Sequence, residues 1–224
     1  RLQQGMQTPV RLTIPSVRTL DKLVKTVSRQ IMADSASLSG LLNDSTFCAH
    51  LGYNSNTLPA LFIPDTYEVY WTITPEQFVE RMQKEHKRFW NEERIKKAQH
   101  IGFTPVEIVT LASIVEEESI KKAEKPMVAG LYINRLHKGM PLQADPTVKF
   151  ALQDFTLKRI RHKHLECDSP YNTYKYPGLP PGPIRIPSID GIESVLNYPR
   201  PAFLCMCAKE DFSGSHNIAE YMTR

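Results

Sequence analysis

The segment Thr104-Pro105-Val106-Glu107, continuing as IVTLASIVEEES to Ser119, decides how this chain is read. Thr-Pro-x-Glu is a helix start: the threonine hydroxyl caps the first turn, proline sits where no N–H is needed, and the glutamate reaches back to the cap. Ile108, Leu111, Ala112 and Val115 then recur at helical spacing and mark one apolar face. Three consecutive acids end the run. At roughly 100° per residue, Glu118 falls within about 50° of the centre of that face, between Leu111 and Ile114. Glu116 lies at the edge of the stripe and is the second candidate for burial, while Glu117 points almost directly away and is expected to be a solvated surface charge.

A carboxyl group on an apolar face at a helix C-terminus is pushed toward its neutral form by desolvation and by the negative end of the helix dipole. Such a group can serve as a general acid near neutral pH. The plainer use of Glu118 is an ion pair with Lys121, Lys122 or Arg135.

N-terminal to this helix, PVRLTIP (Pro9 to Pro15) alternates like a short strand, and Leu20, Leu23, Val24, Val27 and Ile31 follow at helical spacing. Residues 34–58 read as short helical pieces and loops. They lead into the extended ALFIPDTYEVYW (Ala60 to Trp71), with a turn or bulge at Pro64 and Asp65. Thr74-Pro75-Glu76-Gln77 is a second capping box and opens a helix carrying Phe78, Met82, Phe89 and Trp90. On the C-terminal side, Pro126 starts a helix that stops at Gly139, and Asp145-Pro146 reads as a cap with proline at the first position. A basic strand-like TLKRIRHKHL and the Gly/Pro-dense YPGLPPGPIRIP follow. A helix from about Ser188 to Asn197 and the strand AFLCMCA come last. The expected class is α+β, with a domain boundary near residue 73 that divides 1–73 from 74–224.

Composition narrows the functional classes. The 224 residues carry 28 Lys+Arg against 24 Asp+Glu, a net charge of +4, and 41% are hydrophobic. That balance excludes a disordered or fibrous chain and is too mild to name a nucleic-acid partner. No run approaches the roughly 20 apolar residues that span a bilayer. The chain opens on Arg1, so an upstream anchor or signal is expected to have been cut away. Cys48, Cys167, Cys205 and Cys207 lack the spacing of a zinc site or redox pair, and no metal-ligating constellation stands out. On a strand Cys205 and Cys207 point the same way, toward a core.

Four blocks carry a resemblance: LASIVEEES, then LYINRLHKGMPLQADPTV, then SPYNTYKYPGLPPGPI, and finally GSH. In order and spacing, over about residues 60–216, they resemble the YceG-like family, the endolytic murein transglycosylases. The N-terminal VRLTIPSVRTLDKLVKTVSRQI looks like that family's small LysM-like subdomain. The resemblance implies a mixed α+β catalytic domain with its catalytic Glu on a helix, at the E-[ST] pair that here is Glu118-Ser119. It implies cleavage of the β-1,4 bond between N-acetylmuramic acid and N-acetylglucosamine in peptidoglycan glycan strands, leaving 1,6-anhydromuramoyl ends, as a terminator of strand elongation. One acid suffices for this chemistry. The muramoyl C6 hydroxyl attacks C1 intramolecularly, while Glu118 first protonates the glycosidic oxygen and then, as carboxylate, takes the hydroxyl proton. The enzyme is expected to need no cofactor and no metal.

The resemblance further implies a single N-terminal helix in the bacterial cytoplasmic (inner) membrane, the catalytic part outside it, and cell-wall synthases as partners. Asn134, Arg135, Gln143, Asp145 and Thr147 are then groove residues able to reach sugar hydroxyls or acetamido groups, although Asp145 also reads as a plain N-cap before Pro146. Tyr171, Asn172 and Tyr174 combine aromatic faces with polar groups suited to pyranose rings, or pack in the core. His216 matches the family's terminal histidine block, but HNIAEYMTR departs from the aromatic residue usual two positions after it. Glu116 stands as the alternative catalytic acid or as a partner of Glu118. Lys158, Arg159, Arg161 and Lys163 suit either stem-peptide carboxylates or a solvated strand face. A non-catalytic peptidoglycan-binding scaffold of the synthesis machinery is the competing reading. An older family label, a pyridoxal-phosphate-dependent aminodeoxychorismate lyase, finds no lysine here in a matching context.

Overall fold

The structure, a computed structural model, describes residues 8–200, 202–208 and 216–219, with backbone alone for 207, 208 and 216–219. It is mixed α+β and rich in helix. In chain order come β1 (Pro9–Thr13), α1 (Leu20–Val27), α2 (Ser35–Asn43), α3 (Ser45–His50), a 3-10 turn at Leu58–Leu61, β2 (Thr66–Tyr70) and α4 (Pro75–Phe89). Then follow α5 (Glu92–Ile101), α6 (Pro105–Glu118), α7 (Lys125–His137), α8 (Asp145–Ala151), α9 (His162–Leu165), α10 (Ile189–Leu196), β3 (Cys205–Ala208) and β4 (His216–Ala219). The strands form two antiparallel pairs, β1 with β2 and β3 with β4.

The N-terminal unit follows from period-2 alternation. Leu12 pairs with Tyr67 and Val10 with Val69, and Leu12, Tyr67 and Val69 are buried on one face. Helices α1 to α3 cover that face, each started by a side-chain cap from Thr19, Asp34 or Asp44. The core of this unit gathers Leu12, Leu23, Val27, Leu38, Leu42 and Phe62, and it continues past residue 73: Phe78, Val79 and Met82 of α4 pack into it.

The second core is built around α6. Both expected capping boxes, Thr74/Gln77 and Thr104/Glu107, are formed. In α6 every residue from Ile108 to Val115 is buried, so the helix is enclosed on all sides rather than on one face. It packs against α5, α7, α8, α10 and the 3-10 turn. Helix α5, absent from the sequence reading, starts where Asn91 Oδ1 accepts from the Arg94 N–H at 3.0 Å. The basic TLKRIRHKHL is not a strand. Residues 156–161 are irregular and one helical turn follows, because each described strand is already paired within its own hairpin.

The YPGLPPGPIRIP segment closes over α6 by way of Ser113, whose Oγ accepts the Ile184 N–H at 3.0 Å. It also runs so close to the Asn56–Thr57 backbone that a Cβ on Gly182 would overlap the Asn56 carbonyl. Since the clash is with backbone, Gly182→Ala is expected to cost about 1–3 kcal/mol. A drop of several degrees in melting temperature checks this, and an unchanged Tm would refute it.

Candidate active site

Glu118 is the last residue of α6. Ser119 leaves the helix at φ −132° and ψ 125°, and its N–H still donates to the Val115 carbonyl at 3.0 Å. The Ser119 side chain is 1% exposed and holds the turn by bonding Glu124 Oε2 at 3.2 Å and the Lys121 N–H at 3.2 Å. The Glu118 Oε2 atom is sealed from solvent and has no hydrogen-bond partner among the described residues. Burial, and after it the like charge of Asp145, push the Glu118 carboxyl up to about 7, against the opposing pull of the Tyr132 hydroxyl and Lys149.

The expected alternative, an ion pair with a neighbouring cation, is not made by Lys122 or Arg135. Lys122 pairs with Asp190 at 2.8 Å. The Arg135 guanidinium, 7% exposed, donates to the carbonyls of Leu204 at 2.7 Å and Leu142 at 2.8 Å.

The two acids before Glu118 do different work. Glu116 accepts from the Ser188 N–H at 2.8 Å and hydroxyl at 2.7 Å and from Ser16 Oγ at 3.0 Å, with Arg185 at 3.5 Å and Lys125 at 3.9 Å. All its acceptor capacity is spent on the protein, and residues two apart on a helix do not face each other. The like-charged neighbour of Glu118 is therefore Asp145 rather than Glu116. Glu117, expected in solvent, has a side chain only 13% exposed. Two arginines cover it: Arg18 grips both its oxygens, at 2.7 and 2.9 Å, and Arg185 donates at 2.8 Å. The loop between β1 and α1 thus holds the end of α6 through Ser16 and Arg18.

Asp145 is not the N-cap of α8. The helix begins at Asp145 itself, after an Ala144 cap with no side-chain bond, and the carboxylate instead accepts from the Tyr174 hydroxyl at 2.6 Å. Thr147 and Asn172, expected in a groove, are each 0% exposed and act from behind it. Thr147 Oγ1 lies 2.8 Å from Thr173 Oγ1, and the Asn172 amide donates to the Leu165 and Cys167 carbonyls at 2.8 Å each. Asn134 likewise supports backbone, donating to the Phe203 carbonyl at 3.0 Å beside Arg135. These corrections share one cause: a loop that is itself irregular needs buried amides and hydroxyls to satisfy its backbone.

Gln143 is exposed and sits in the left-handed region at φ +53°, its N–H bound to the Thr173 carbonyl at 3.0 Å. A non-glycine residue held there is strained, a frequent property of binding loops. Tyr171 stacks at a tilt on Phe150 (4.7 Å between centroids) and lines a hollow of about 310 Å³ with Ser55, Asn56, Pro59 and Pro183, separate from Glu118. His216 lies on β4 opposite Ala208, but its side chain is outside the described residues, as is that of Cys207. Cys205 is half-buried. Lys158, Arg159, Arg161 and Lys163 are all exposed.

The structure therefore converges Glu118, Tyr132, Asp145, Lys149 and Tyr174 from α6, α7, α8 and the loop after α9. Tyr132 and Lys149 went unnoticed in sequence, since a tyrosine within an apolar helix carries no signal of its own. Among the described residues no single helix is long and apolar enough to cross a membrane.

A model of the YceG-like family matches residues 1–223. An endolytic murein transglycosylase of Bacillus subtilis (strain 168) is 43% identical over 104 residues, which are 46% of this chain and 29% of that protein. An endolytic murein transglycosylase of Streptococcus pneumoniae serotype 2 is 30% identical over 215 residues, covering 83% of this chain and 38% of its own. The chain thus spans about a third of the length of these curated relatives. A crystal structure of a yceG-like protein from Listeria monocytogenes aligns over 98% of this chain and 75% of its own, with a TM-score of 0.78 and 27% identity.

Proposed function

The chain belongs to the YceG-like family, and from that premise we propose that it is the glycan-cleaving part of an endolytic murein transglycosylase with Glu118 as its acid. The observation that carries this reading is the carboxyl at the end of α6, sealed, unpartnered at Oε2 and poised at about 7. A group so placed holds a proton at neutral pH and releases it without losing a salt bridge.

In this reading Glu118 donates its proton to the oxygen leaving C1 of N-acetylmuramic acid. The C6 hydroxyl of the same sugar closes on C1, and the Glu118 carboxylate takes up the hydroxyl proton, so atoms and charge balance within one residue and the product carries a 1,6-anhydro end. Gln143 and the accessible edge of Tyr174 are the groups offered to the strand. Asn134, Arg135, Thr147 and Asn172 support the loops that carry them, and Tyr171 and His216 are assigned to more distant sugars. The β1–α1–α2–α3–β2 unit supports a LysM-like role in holding glycan. Anchoring by an N-terminal helix in the cytoplasmic membrane, work beside cell-wall synthases and termination of strand growth complete the proposal.

The test is digestion of purified peptidoglycan followed by mass spectrometry of the released glycans. Anhydromuramoyl ends at internal positions are the expected product. Glycan bound by the folded protein, with its membrane segment restored, and no ends released would replace this reading by that of a binding scaffold.

A further inference from the structure

We propose that Asp145, fixed by the Tyr174 hydroxyl, is a positioning residue: a second carboxylate beside Glu118 that acts on the Glu118 proton rather than on the glycan.

Asp145 is fixed with unusual thoroughness for a residue at a loop–helix junction. Its oxygen takes the Tyr174 hydroxyl at 2.6 Å instead of capping α8. Tyr174 is held in turn, since its N–H donates to Asn172 Oδ1 at 3.1 Å and Asn172 is locked by its two bonds to backbone carbonyls. The residue between them, Thr173, ties the strand of chain before Asp145: Gln143 N–H to its carbonyl at 3.0 Å, Ala144 N–H to its hydroxyl at 3.1 Å, Thr147 to the same hydroxyl at 2.8 Å. Both ends of the Asp145–Tyr174 bond are thereby anchored to one another through buried groups.

No cation pairs with Asp145 among the described residues, so its charge is not neutralised at short range. The charged and titratable groups acting on Glu118 are Asp145 and Lys149 of α8 and Tyr132 of α7, while Arg135 and Tyr174 act on Tyr132. Asp145 is the largest electrostatic influence that keeps Glu118 neutral, and Lys149, one turn further along α8, opposes it. The Tyr132 hydroxyl, buried and without a well-formed hydrogen bond, leaves the balance between them undecided by any direct partner. A carboxylate already committed to a tyrosine is poorly placed to serve as nucleophile or water-activating base, the usual second acid of a glycosidase. It is well placed as a fixed negative charge. Asp145→Asn keeps the acceptor for Tyr174 and removes that charge.

The proposal rests on the reading of Glu118 as the acid, but its first readout does not need activity. Glutamate side chains labelled with ¹³C at the carboxyl are titrated by NMR, with the Glu118 signal assigned by its loss in Glu118→Gln. The wild-type midpoint is expected at about 7, and in Asp145→Asn at least about threefold lower proton affinity is expected. The alkaline limb of strand cleavage against pH should move to lower pH by the same amount with KM unchanged. Should Asp145→Asn fail to fold by circular dichroism, Asp145→Ser gives the same two readouts. An unmoved Glu118 midpoint in the folded variant overturns the proposal, as does loss of cleavage at every pH, which marks a directly catalytic Asp145. A moved midpoint in a protein that cleaves nothing upholds the pairing and refutes the transglycosylase reading instead.

Discussion

Glu118→Gln is expected to reduce strand cleavage by about 10³-fold at neutral pH, the scale of a general acid that is also the base of the second half-reaction. Gln keeps the shape of the side chain and loses only the exchangeable proton, so the loss is in kcat with KM little changed. The wild type should lose activity as pH rises through about 7, where the carboxyl gives up its proton. The same substitution should stabilise the fold above neutrality. The folded-state value of Glu118 is raised, so its stability contribution is intact at acid pH and is lost as pH rises toward about 7 and beyond. At pH 8 the Gln variant is therefore expected to be more stable than wild type by about 1–3 kcal/mol, and near pH 4 by nothing. Equal denaturation midpoints at both pH values, or undiminished cleavage, would refute this assignment.

That opposition of activity and stability accounts for how much of the site was readable in advance. The wheel over Val106–Ser119 found Glu118 because placing an acid on an apolar face is a local property, written into spacing alone. Caps were legible for the same reason: Thr74, Thr104 and Ser188 each bond a backbone N–H three residues away. What misled were residues whose partners lie far off in sequence. Glu117 looked solvated because its arginines are 99 and 68 positions distant. Asp145 had the signature of a cap, and only the tertiary approach of Tyr174, 29 residues on, diverts its carboxylate. Thr147 and Asn172 have the chemistry of sugar-binding groups, but the same chemistry satisfies buried backbone, and burial rather than residue type separates the two uses. The run TLKRIRHKHL failed differently: β propensity without a partner edge makes no strand.

The largest effect on stability is expected two residues from the catalytic candidate. Glu116→Ala should destabilise the protein by about 3 kcal/mol or more, because it strands buried cations rather than merely deleting a contact. The Glu116 side chain is 11% exposed, and it is the point where three distant segments meet: Ser16 from the β1–α1 loop, Arg185 from the segment over α6, and Ser188 at the start of α10. Lys125, 9% exposed, would keep only Asp190 at 3.3 Å. Gly191 approaches so closely that its Cβ would stand 2.5 Å from Glu116 Oε2, so the site is built without slack around this carboxylate. Glu116→Gln should be milder, since the amide oxygen can still accept from Ser188, but its two amide protons would point at Arg185 or Lys125. Denaturant melts at pH 7 should rank wild type above Glu116→Gln and that above Glu116→Ala, with residual cleavage tracking the folded fraction. If Glu116→Gln stays fully folded and cleaves nothing, the acid has been placed on the wrong side of the helix.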